Sequence, residues 1–204
     1  MGSLASPETH GHSHHAEAVS NTRLGVWVWL ASECAFFASL IGTYITLHNH
    51  YQTGLGPAQL FDLRTTAIST FALLISSVTM GIALEAAQRR AVSALRAWLT
   101  VTALLGLLFV AMEVREFLTY WHKGLTLSSS AFGSAFYTLV GFHGLHVSFG
   151  IAWIVSLLIF TYRKRGGLQP ADMWRFEMVS LYWYFVDVVW VVLFTVVYLI
   201  GKMG

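Results

Sequence analysis

Charge is what this 204-residue chain has least of: 11% of its residues are Asp, Glu, Lys or Arg, against 56% hydrophobic. That is under half of the roughly 25% charged residues of a soluble domain, and it excludes an ordinary solvated globular surface. Cysteine is nearly absent. The lone Cys34, inside an apolar run, rules out an intrachain disulfide framework and a cysteine-cluster metal site. The three prolines, Pro7, Pro57 and Pro170, all lie outside the long apolar runs, so no run is broken from within. A net charge of +2, with no basic stripe interleaved with aromatics, gives nucleic acid nothing to hold. Walker loops, G-x-S-x-G elbows and dinucleotide fingerprints are missing as well.

What is present is apolar length. Five runs, at about 24–47, 66–88, 95–118, 131–161 and 174–200, each approach or exceed the roughly 20 residues that carry a helix across a bilayer core. The fold expected is all-α, a polytopic membrane protein with five transmembrane helices, in which residues 24–204 form one membrane domain. Residues 1–23 read as a flexible His-rich tail carrying His10, His12, His14 and His15, a solvated extension rather than a metal site. The first 20 residues lack the charged start, apolar middle and cleavage site of a signal peptide. No internal repeat is visible.

Basic residues beside the spans set the orientation, because Lys and Arg are retained on the cytoplasmic side. Arg23, Arg89, Arg90, Arg96, Arg163, Lys164, Arg165 and Arg175 fall on one side; Arg64, Lys123 and Lys202 fall on the other. The expectation is a cytoplasmic N-terminus and, after five crossings, a C-terminus on the periplasmic or extracellular side of a bacterial plasma (inner) membrane.

Ionisable groups inside hydrocarbon are costly and face the protein interior or water. The candidates here are Glu33, Glu113, Glu116, His143, His146 and Asp187, with Glu85 and Glu177 near span ends. His143 and His146, in "VGFHGLHVSFG", are an i, i+3 pair on one helix face. Such a pair either shares a small metal ion with carboxylates from facing helices or hydrogen-bonds within the bundle. It cannot sandwich a haem, which needs ligands on opposite sides of its plane. Glu33 reads equally as a proton-exchanging group or as a neutral acid bonded to a neighbour, since its chain neighbours Cys34 to Phe37 supply no charge.

"SECAFFASL" on the first span, "MEVREF" on the third, "SSSAFGSAFYTLVGFHGLHVSFG" into the fourth and "SLYWYFVDVVWVVLFTVVYLIG" on the fifth together resemble subunit III of the haem-copper oxidases, in its short five-helix bacterial form. The resemblance runs from about residue 24 to the end. It implies a chain with no catalytic centre and no haem or copper of its own. Haem and copper are expected in subunit I, which this chain would contact directly, with subunits II and IV in the same complex. It implies structural phospholipid in a cleft between helices 1–2 and helices 3–5. His143 and His146 match the family's "HGxHV" pair, for which internal hydrogen bonding is implied; Glu33 matches the carbodiimide-reactive carboxylate, and Asp187 the Asp of "YWHFxDxVW". Tyr184 departs from that last pattern: a phenol donates a hydrogen bond but carries no imidazolium charge.

The histidine-bearing tail, "STFALLISSVTMGIA", "MEVREF" and the Gly-Lys-Met-Gly ending look most like quinol oxidases of the cytochrome bo type, with cytochrome c oxidase as the alternative within the family. Two other classes stand against it. A small proton or ion transporter would use Glu33, Glu113 and Asp187 as a relay, but such proteins break their helices with Pro or Gly at matching places. A cytochrome b-like carrier would need haem ligands on facing helices.

Overall fold

Hydrocarbon offers no water to satisfy backbone N–H and C=O groups, so each crossing segment must bond within itself, and a helix does so. The computed structural model describes residues 10–47, 63–128, 130–164 and 167–200, and its crossing segments are five helices. They are α1 (His10–Leu47), α2 (Leu63–Gln88), α3 (Val92–His122), α4 (Ala131–Arg163) and α5 (Met173–Leu193). A 3-10 turn, Pro170–Asp172, leads into α5, and a π-helical stretch, Phe194–Ile200, prolongs it.

For α2 to α5 the helices begin within three residues of the apolar runs, because run length and helix length report the same bilayer. α1 is different. Its backbone is helical from His10, well before the apolar run that begins at about residue 24. Between Gly11 and Gly25 there is neither Gly nor Pro to stop a helix from continuing outward, so the described part of the expected tail is helical. Residues 1–9 of that tail and the 48–62 connector lie outside the described residues.

α2 and α3 are joined by a very short turn. The Ala91 N–H bonds Ala86 O and the Arg90 N–H bonds Ala87 O, each at 2.9 Å, which closes α2 in a Schellman motif. Arg90 holds the left-handed position at φ 56°, a place that glycine usually takes. At the far end of α3 the same motif recurs with a glycine, Gly124 at φ 91°, and Leu125 N–H on Tyr120 O. α4 starts where the Ser130 side chain accepts from the Gly133 N–H at 3.0 Å.

α5 is the centre of the bundle, and Trp183 shows why. Its ring lies so close to Gly106 of α3 and Gly150 of α4 that a Cβ would meet it at 2.7 Å and 3.0 Å respectively. Its indole N–H donates to Ser76 Oγ of α2 at 3.0 Å. One side chain thus fixes three neighbouring helices. Two turns on, Trp190 donates to Thr70 Oγ1 of α2 at 2.9 Å and packs edge-on against Phe109 of α3. α2 answers with a seam of hydroxyls and small residues, including Thr66, Thr70, Ser76 and Thr79, all buried. Thr79 bonds Thr102 of α3 at 2.8 Å. Polar atoms face inward while Phe71, Val78, Leu104 and Leu145 are exposed, the arrangement lipid favours.

α1 is the outermost helix, packed on α4 and α5, where Trp29 stacks on Tyr182 at 5.3 Å. α2 packs on α3 and α5. The basic residues gather at one end. There Arg23 pairs with Glu177 at 2.6 Å, Lys164 pairs with Asp172, and Arg96 donates to Thr161 O.

The Trp183 wedge makes a testable demand. Gly106→Leu should lower the unfolding temperature of the purified protein sharply, by a destabilisation of about 1–3 kcal/mol or more from overpacking. Gly42→Leu on α1, where a Cβ meets nothing within 4 Å, should leave it nearly unchanged. Equal shifts in thermal unfolding would show that Trp183 can move aside.

Candidate functional site

The intramembrane polar residues do not converge on one cluster. The sharpest pairing joins α1 to α4, where His146 Nε2 lies 3.1 Å from Glu33 Oε2. The other ring nitrogen, Nδ1, is 2.7 Å from the carbonyl of Phe142, one turn back on α4. A carbonyl only accepts, so Nδ1 must carry its proton. The Nε2–Oε2 contact therefore holds one proton: either a neutral carboxylic acid donates it to Nε2, or an imidazolium donates it to a carboxylate. In both forms the pair is neutral overall. Phe37 packs edge-on against the His146 ring at 5.0 Å, Phe36 lies beyond it, and Tyr182 donates to the His146 carbonyl at 2.9 Å. Both side chains are mostly covered, at 16% and 20% exposure.

His143 is one turn away and has a different setting. It is fully buried, stacked on Trp190 at 4.9 Å and met edge-on by Phe109 at 5.9 Å, with no hydrogen-bond partner for either ring nitrogen among the described residues. The i, i+3 spacing puts both rings on one side of α4, and Phe37 of α1 meets both edge-on, but only His146 is hydrogen-bonded to α1. Internal hydrogen bonding, implied for both, is made by His146, whereas His143 is held by its rings.

Glu113 of α3 presses its carboxyl against α4 at Gly144, where a Cβ would meet Oε2 at 2.7 Å. Gly144, having no side chain, is what lets that acid reach the interface. Neither Glu113 oxygen has a hydrogen-bond partner among the described residues. Glu116, one turn on, accepts from Thr66 of α2 at 2.7 Å, and the Tyr198 hydroxyl lies 3.5 Å from its other oxygen. Asp187 Oδ1 of α5 and Ser77 Oγ of α2 are buried without a hydrogen-bond partner among the described residues, and the Tyr184 hydroxyl reaches Gly81, where a Cβ would stand 3.1 Å away. Among the described residues no three His, Cys, Asp or Glu side chains are grouped to hold a metal ion. Two of these groups are interhelical fasteners: Glu33 with His146 joins α1 to α4, and Glu116 with Thr66 joins α3 to α2.

Sequence reasoning picked out the six ionisable residues and missed the hydroxyls of α2, of which Thr66 bonds Glu116 while Thr70, Ser76 and Thr79 bond Trp190, Trp183 and Thr102. Thr66, Thr70, Ser76 and Thr79 recur every three to six residues along "TTAISTFALLISSVTMG", a helical stripe that periodicity alone could have flagged.

The Glu33–His146 bond can be weighed by a double-mutant cycle. Glu33→Leu and His146→Leu should each destabilise the protein, and their effects should be non-additive by about 0.6–1.7 kcal/mol, the range for hydrogen bonds between membrane helices. Glu33→Gln, whose amide still reaches Nε2, should stay close to the parent. Additive losses in reversible unfolding would mean that the two residues do not interact.

The chain matches the family model described as cytochrome c oxidase subunit III over residues 5–202. It is 43% identical over 181 residues to quinol oxidase subunit 3 of Bacillus spizizenii, covering 89% of this chain and 88% of that one. Against cytochrome bo(3) ubiquinol oxidase subunit 3 of Pseudomonas aeruginosa it is 41% identical, covering 95% and 92%. Against cytochrome c oxidase subunit 3 of Bacillus subtilis it is 43% identical, covering 90% and 88%. Five apolar helices fastened by buried Glu, His, Thr and Trp, and a family match along nearly the whole chain, together place it: the chain belongs to the cytochrome c oxidase subunit III family, the third subunits of the haem-copper oxidases.

Proposed function

We propose that this chain is the non-catalytic subunit III of a bacterial quinol oxidase of the cytochrome bo type, supporting the assembly and durability of subunit I. The observation behind this reading is that Glu33, His146 and Glu116 are hydrogen-bonded to partners within this chain, as groups are that hold helices together. Haem and copper belong to subunit I in this reading, with subunits II and IV completing the complex and phospholipid filling space beside the bundle. The quinol assignment rests on "MEVREF", the histidine-bearing N-terminal segment and the chain's ending. The quinol-named and cytochrome c-named relatives match at similar identity, so the donor is a question for assay.

The complex purified with its native partners should oxidise ubiquinol or menaquinol and leave reduced cytochrome c untouched. The opposite preference assigns the chain to a cytochrome c oxidase. Removing this subunit should leave the initial rate of oxygen reduction largely intact while shortening the time over which turnover lasts. A complex with full haem content and no initial activity would refute a supporting role.

The proposed orientation puts the N-terminus and the basic end of the bundle in the cytoplasm. Reporter fusions near Ser20 and at Gly204 should report opposite faces, the second periplasmic or extracellular. The same face for both would require an even number of crossings.

A further inference from the structure

At the end of the bundle away from the basic cluster, a pocket runs from the surface to a buried acid. Arg115, Thr119 and Lys123 of α3 stand at four-residue intervals on its exposed side, and Glu116 and Tyr120 stand at the same interval on its buried side. With Thr65 of α2 they line a cavity of about 190 Å³ between the two helices. A water takes roughly 30 Å³ in the liquid, so the cavity has room for several. Its lining side chains carry two cations, three hydroxyls and one carboxyl. Arg115 lies roughly 10 Å inside the end of α3, at ~1.5 Å per residue, and a cation at that depth needs a path to water, which this cavity provides.

Behind the floor of the cavity the polarity continues inward. Glu116 accepts from Thr66 at 2.7 Å, and the Tyr198 hydroxyl reaches to 3.5 Å of its other oxygen from the π-helical stretch that prolongs α5. Glu113 stands one turn deeper on the same side of α3, in electrostatic contact with Glu116. It is 6% exposed, and neither of its oxygens has a hydrogen-bond partner among the described residues. Tyr44 of α1 and Tyr120 of α3 complete the group, both buried and both in electrostatic contact with Tyr198. A carboxyl left unmatched in an apolar shell is costly, and ordered water is the usual partner of such groups in folded proteins.

We propose that the cavity between α2 and α3 is a water port through which Glu116 and, behind it, Glu113 exchange protons with the solvent at the end of the bundle away from the basic cluster. In each exchange the carboxyl O–H bond breaks as a water oxygen takes the proton, the proton passes outward from water to water, and the reverse transfer restores the acid, so no other reactant is consumed. Arg115 and Lys123 at the mouth repel metal cations and leave the cavity to water. The titratable and charged groups on the elements around the pair are Tyr44 of α1, Arg64 of α2, His143 of α4 and Tyr198, besides Arg115, Tyr120 and Lys123 of α3 itself. The proposal requires only that the five helices cross a membrane and does not depend on the electron donor or the role of the complex.

The test is infrared spectroscopy of the complex, purified with its native partners and transferred from H2O to D2O buffer, a readout separate from turnover. Glu113→Gln and Glu116→Gln assign the two acids, each by the carboxyl band it removes. In the parent complex the Glu113 acid band should shift on deuteration within minutes. Thr65→Phe, which fills the cavity, should slow that shift by about tenfold or more, because exchange must then wait for a local opening of the helices. Thr119→Trp, on the exposed side of the mouth, serves the same purpose if the Thr65 variant fails to assemble. The proposal is overturned if Glu113→Gln removes no protonated carboxyl band, if the Glu113 band stays unshifted through hours in D2O, or if it shifts as fast with the cavity filled as with it open.

Discussion

The bundle depends on one wedge. Trp183 fills the space left by two glycines, Gly106 and Gly150, on two helices and hands its N–H to Ser76 on a third. Without a hydrophobic driving force between helices in lipid, association rests on close packing and on hydrogen bonds. Trp183 combines both in one side chain, and Trp190 repeats the device against Thr70, Phe109 and His143. The central place of α5 follows from these two indoles, since the seam of α2 and the glycines of α3 and α4 are shaped to receive them.

Polar groups in such a bundle act by pairing. Glu33 ties the peripheral α1 to α4 through His146, and Glu116 ties α3 to α2 through Thr66. Each bond joins helices that their apolar surfaces alone would leave free to slide, because dispersion forces are nearly indifferent to register while a hydrogen bond is not. Glu113 and His143 show the other side of the same economy. Both are buried and both lack a hydrogen-bond partner among the described residues, and they are held by shape: the carboxyl against Gly144, the imidazole against Trp190.

Most of the architecture was legible in the sequence because a bilayer imposes a length. The runs at 66–88 and 131–161 predict α2 and α4 almost to the residue, and the absence of proline inside the runs predicts unbroken helices. Pairing was not legible. That Glu33 meets His146, 113 positions away, depends on which face of α1 is turned to α4, and α1 is apolar around its whole circumference near Glu33. The i, i+3 spacing of the two histidines correctly gave a common face but could not say that only His146 is hydrogen-bonded to α1. The outward extension of α1 to His10 was missed for a related reason: polarity marks where a membrane ends and carries no information about where a helix does.

The short turn at Arg90 bears on how the protein reaches its membrane. With so little chain between them, α2 and α3 cannot be threaded through a translocation channel as separate, independently settled segments. They must enter together as a hairpin. Thr66 and Thr79 then meet Glu116 and Thr102 during entry, and these polar pairs are shielded from the acyl chains from the outset. Ser76 and Thr70 must wait for the indoles of α5, which follows them in the chain, so that the wedge closes only after the hairpin is in place.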